Sequence, residues 1–90
     1  MLIKTNTDFI LREIFGKHIL FPVRSNSISA DPILLNDVAA YIWKLTNNGK
    51  SRHEVLKEVA LHYSLKDASS EMIYVKKFLN NMINMKLLDE

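Results

Sequence analysis

The stretch Phe9-Ile-Leu-Arg-Glu-Ile14, followed by Phe15-Gly16-Lys17 and then His18-Ile-Leu-Phe-Pro-Val23, decides the fold class. Its first arm is rich in β-branched and aromatic residues, which suit a pleated, half-buried surface. Gly16 can supply the positive φ that a tight turn requires. The second arm sets Ile19, Phe21 and Val23 on one face at period two. The spacing predicts a β-hairpin. Pro22 has no amide hydrogen for a ladder, so it is expected near the end of its strand or at an unpaired position.

Working outward, Arg24 to Pro32 is polar and turn-prone. Ile33-Leu-Leu-Asn36 reads as a short third strand that begins as early as Ile28. At Asn36 the period changes. Val38, Ala39, Ile42 and Trp43 share a helical face, with Asn36 or Asp37 as N-cap and Asn47-Asn48-Gly49 as the stop. Ser51-Arg-His-Glu54 has capping-box spacing and opens a second helix whose apolar face is Val55, Leu56, Val59, Ala60 and Tyr63. After Ser64 to Ser70 a longer helix carries Met72, Val75, Phe78, Leu79, Met82 and Ile83 on its buried side, and Leu87-Leu88 closes the chain. Three strands then three helices, with short connections, predict a single α+β domain over residues 1–90, without repeats or linkers.

Composition narrows the function classes. A chain of 90 residues has enough core for one domain and little surplus for a deep catalytic cavity. Its formal charge is only +2, and the lysines are spread from Lys4 to Lys86 with Lys76-Lys77 the one adjacent pair. That is thin support for nucleic acid, which needs basic residues gathered on one face. Without cysteine there is no disulfide, thiolate zinc site or cysteine nucleophile. The sequence holds no membrane-spanning run and no signal-peptide pattern at its start, so a cytoplasmic protein that does not engage membranes is expected.

Catalytic and metal motifs fail one by one. His18, His53 and His62 are not at i,i+4 spacing from one another and have no cysteine nearby, so zinc would need carboxylates brought in by the fold. No serine lies in a nucleophile-elbow setting, and Gly16 and Gly49 cannot make a phosphate-cradling loop. Asp67 and Glu71 suit a helix start better than acid-base chemistry. The chain is therefore expected to be no enzyme, with no catalytic residue, metal or cofactor.

One ordered set of residues resembles a known family. Gly16, Pro22-Val23, Leu35-Asn36, Ile42-Trp43, the capped second helix, Phe78-Leu79 and Leu87-Leu88 are similar to the pattern of the PqqD family, over roughly residues 8 to 89. The chain departs from it at Lys86, where the family usually has glycine, and this is expected to alter how the last helix ends while leaving the fold assignment standing. The resemblance implies a winged helix-turn-helix fold, with a three-stranded antiparallel sheet followed by three α-helices. It also implies a role as recognition element for ribosomally made, post-translationally modified peptides. Such a module binds the leader of a precursor peptide as a strand added to the third strand, beside the third helix. It then presents the core to a modifying enzyme, often a radical S-adenosylmethionine protein.

On that resemblance the peptide-binding candidates are Ile28, Ile33 and Leu34 on the third strand and its approach. With them go Ile73, Lys76, Lys77 and Asn80 on one flank of the third helix, where the lysines would meet acidic leader residues. Taken singly, Ile33 and Leu34 read as plain core and the lysines as a solvated face. The main rival is DNA binding through Lys76, Lys77, Asn80, Asn81 and Asn84, weakened by the low charge and by Arg24 standing alone in its loop. A third reading is a homodimeric adaptor in which the edge strand pairs with a copy of itself.

Overall fold

A computed structural model of the chain describes residues 2–23 and 31–90. In chain order the elements are β1 (Leu2–Thr5), β2 (Phe9–Ile14), β3 (Lys17–Pro22), β4 (Ile33–Leu35), α1 (Asp37–Leu45), β5 (Lys50–Ser51), α2 (Arg52–His62), α3 (Ser70–Asn84) and β6 (Leu88–Asp89). The architecture is mixed α+β, with the expected three-stranded antiparallel sheet β2-β3-β4 and three helices. A second small sheet, β5-β1-β6, was not anticipated, and the order is therefore not strands first and helices after. Among the described residues no helix is long and apolar enough to cross a membrane.

The hairpin forms where the sequence places it. Ile14 pairs with Lys17 across a two-residue loop, and both loop residues have positive φ, 52° at Phe15 and 75° at Gly16. That pair of angles matches the turn whose twist suits a right-handed hairpin. The core face is the opposite of the one picked out by the period-two set. Leu11, Leu20 and Ile33 stand in one cross-strand row, and Leu20 is fully buried. Arg12, Ile19 and Leu34 form the next row, which faces away from the core. Both faces of β3 carry large apolar residues, so alternation locates two faces without saying which is inside. Val23 lies just past β3, its N–H donating to the Asp8 carbonyl at 2.9 Å.

Each helix starts on a side-chain cap. Asn36 Oδ1 accepts from the Ala39 N–H at 2.8 Å, and Ser69 Oγ from the Met72 N–H at 3.2 Å. Ser51 and Glu54 close a reciprocal capping box at 3.1 and 3.0 Å. The hydrogen bonds from the Ser51 backbone and hydroxyl hold the Glu54 carboxyl below its ordinary value. The helices pack Ala39, Ala40, Ile42, Trp43, Val55, Val59, Met72, Val75, Leu79 and Met82 into one core with Leu20 and Leu35.

Helices α2 and α3 end alike. Past α3, the Lys86 N–H donates to the Ile83 carbonyl and the Leu87 N–H to the Met82 carbonyl, both at 3.0 Å, while Lys86 takes φ 64°. This is the Schellman arrangement, with its apolar contact made by buried Leu87 and Met82. Past α2, Ser64 occupies the same position at φ 55°. The left-handed conformation costs an L-residue about 1–2 kcal/mol, part of which glycine's greater unfolded-state entropy would offset. Lys86→Gly is accordingly expected to raise stability by about 0.5–1 kcal/mol, read as a higher urea midpoint at unchanged slope.

The second sheet joins distant parts of the chain. Ile3 pairs with Lys50 on one side of β1, and Thr5 pairs with Leu88 on the other. Ile3 and Leu88 are both buried in the common core. Asn6 fastens the turn beside this seam: its side-chain amide donates to the Lys86 carbonyl at 2.6 Å, and its Oδ1 accepts from the Asp8 N–H at 2.9 Å.

Candidate functional site

The site is built on β4, which among the described residues lies at one edge of its sheet. Which of its backbone groups face outward follows from the hairpin. A two-residue loop closes on a hydrogen-bonded pair, here Ile14 and Lys17. Alternation then assigns Lys17, Ile19 and Phe21 to bonds with β2, and the Val23-to-Asp8 bond continues the same phase. His18 and Leu20 are left to bond β4, opposite Leu35 and Ile33. Leu34, opposite Ile19, therefore turns its N–H and C=O to the open edge. Pro22 belongs to the set facing β4, beyond the last paired residue Ile33, where its missing N–H breaks no ladder bond.

A cleft of about 520 Å³ runs between this edge and α3. Its walls are Ile33, Leu34 and Leu35 from β4, Ala39 from α1, and Phe78, Asn81, Met82 and Met85 from α3, with Leu87 behind them. One end is bounded by Gly16, Lys17 and His18 at the hairpin tip. The lining is chiefly apolar, with a polar corner where His18 Nε2 lies 3.1 Å from Asp37 Oδ1. His18 is nearly buried there, whereas Asp37 is solvent-facing and free to meet a second group. Phe78 meets the Tyr74 ring edge-on at 5.0 Å, and Tyr74 leads on to an apolar hollow formed with Val38, Tyr63, Leu65 and Val75. Burial, with smaller effects of Asp37 and Tyr41, pushes the Tyr63 phenol above its ordinary value.

Behind the cleft, the outer face of the sheet is apolar as well. Ile10, Ile14, Ile19, Phe21 and Leu34 share it, and Leu34 is 63 % exposed. A strand laid along Leu34 would thus send alternate side chains into the cleft and out beside this face.

Of the residues singled out in the sequence, Ile33 and Leu34 line the cleft. Ile28 lies outside the described residues. Ile73, Lys76, Lys77 and Asn80 are not brought to the cleft; they occupy the far flank of α3. Lys76 borders a separate hollow of about 630 Å³ with His53, Leu56 and Lys57 of α2. Asn80 accepts a hydrogen bond from Arg52 at 2.7 Å. Of the residues that α3 does present to the cleft, the sequence marks Phe78 and Met82 as core and Asn81 as a contact of the rival DNA reading, and it gives Met85 no role. Their signal was the aromatic pair Tyr74 and Phe78 at i,i+4, continued by Asn81 and Met85 on the same side of the helix. Among the described residues no group of three or more His, Asp or Glu side chains is placed to hold a metal ion.

Comparison with protein-family models, curated proteins and solved structures returns no match.

Proposed function

We propose that the chain is a peptide-capturing module of the PqqD kind. In this reading α2 and α3 are the helix-turn-helix and the β2-β3 hairpin is the wing. The module takes up the leader of a ribosomally made precursor peptide by strand addition and presents it to a modifying enzyme, for which a radical S-adenosylmethionine protein is the family precedent. The observation that carries the reading is Leu34: its outward N–H and C=O stand on an edge strand that overlooks an apolar cleft. Backbone pairing supplies affinity with little demand on sequence, and the cleft supplies selectivity through alternate side chains.

The energetics are adequate without catalytic machinery. A micromolar complex needs about 8 kcal/mol. Two or three apolar anchors, at about 1.5–3 kcal/mol each, supply most of it. Ladder bonds at about 0.5–1.5 kcal/mol net help offset the ordering of the peptide.

The test is a titration of nitrogen-15-labelled protein with the leader half of a short peptide encoded beside its gene. Amide shifts are expected at Ile33 to Asn36 and at Phe78 to Met85, with the rest of α3 quiet. Salt-sensitive shifts at Lys76 and Lys77 with duplex DNA, and none with the peptide, would replace this reading by nucleic-acid binding.

A further inference from the structure

The hairpin tip holds an unexplained residue. Phe15 is 99 % exposed, so its ring packs against none of the described residues, and its backbone is held at φ 52°. At the first position of this turn asparagine or glycine is at ease, whereas a bulky side chain is strained. The hairpin needs the positive φ at this position but not an aromatic side chain, so neither the strain of a bulky residue there nor the full exposure of its ring serves the fold. Among the described residues none crowds Gly16 beside it, where an added Cβ would meet nothing within 4 Å. What the tip does adjoin is the cleft, whose end is formed by the next three residues, Gly16, Lys17 and His18.

Building on the peptide-capture reading, we infer that Phe15 is a recognition residue that closes over the end of the bound peptide nearest the hairpin tip. Beyond Leu35 the main chain turns away into α1, so a peptide running past that point leaves β4 and reaches the tip. The ring selects an apolar or aromatic peptide residue there, because its face offers a large apolar contact at the end of the cleft. Ligands that end at Leu35 miss this contact, so peptide length as well as sequence sets affinity.

The experiment uses decapeptides selected from a phage-displayed random library on the wild-type protein, then synthesised and titrated against variants. Phe15→Asn keeps the left-handed conformation and relieves its strain, so its melting temperature should rise while peptide affinity falls roughly tenfold or more. Phe15→Tyr should bind as the wild type does. Peptides that lose binding in Leu34→Pro yet bind Phe15→Asn within twofold of wild type would overturn this role and leave the cleft reading standing. If no selected peptide depends on Leu34, the cleft reading fails, and the role of Phe15 falls with it.

Discussion

Leu34→Pro is expected to leave the fold in place and to abolish peptide capture. The substitution is aimed at one atom pair. Because Ile19 and Leu34 are a non-hydrogen-bonded pair, the Leu34 N–H is not spent on β3, and proline there removes a donor that is open to an incoming strand. Proline is tolerated on edge strands when its ring faces outward, and the residue before it, Ile33, already lies in a strand as proline prefers. The stability cost should therefore be small. For a peptide the cost is large: one ladder bond is lost, and a peptide carbonyl buried against the edge loses its partner. Together these amount to about 2–4 kcal/mol, roughly a 30-fold loss of affinity or more. Leu34→Val keeps the N–H and should bind within a fewfold of wild type. Calorimetric titration of the three proteins with one peptide reads the difference. Equal affinities for wild type and Leu34→Pro would mean that the backbone edge is not used.

The largest effect on stability is expected from Ile3→Ala. Ile3 is the buried residue of a strand only four residues long, and it is packed in the shared core from a position between β5 and β6. Truncation there removes transfer free energy and leaves a cavity that two flanking strands prevent from collapsing. The cost is about 2–5 kcal/mol. Against a total of about 5–15 kcal/mol for a domain of this size, the variant retains little reserve. Its thermal midpoint should fall by more than about 10 °C. Leu2→Ala, at a half-exposed neighbouring position, should change stability by less than about 1 kcal/mol. Chemical denaturation of both variants, with the slope compared to wild type, separates a lost core contact from general loosening of the chain.

Much of the fold was legible because its signals are local. The Phe15-Gly16 turn, the Asn36 cap and the Ser51-Glu54 box each act over two to four residues, and each is found where the sequence puts it. The strand β1 was not legible. Leu2-Ile-Lys-Thr5 is short and has no marked alternation, and its partners are Lys50-Ser51 and Leu88-Asp89, contacts that no window along the chain contains. Lys86 hides a left-handed residue behind a side chain that ordinarily avoids that conformation.

The site was half legible for a similar reason. Helical periodicity gave the buried stripe of α3, Met72, Val75, Leu79 and Met82, but a stripe has two flanks of equal standing. Ile73, Lys76, Lys77 and Asn80 form one, while Tyr74, Phe78, Asn81 and Met85 form the other. Only the placement of β4 against α3 decides between them, and that placement is tertiary. Leu34 was found from its strand alone, yet its outward amide needed the phase of the hairpin two strands away.

The pairing of β1 with β6 also sets a schedule for folding during synthesis. Residues 2 to 5 leave the ribosome ahead of the rest of this domain, and one of the two strands that hold them comes from residues 88 and 89. At about 5–20 residues per second the chain spends several seconds with its earliest segment unsatisfied on one side. The hairpin and the first two helices can form in that interval, since their contacts are near in sequence. Ile3 is then the earliest core residue of this domain to be made and among the last to be sealed, so the nascent domain is at its most vulnerable to proteases and to mispairing just before residues 88 and 89 emerge.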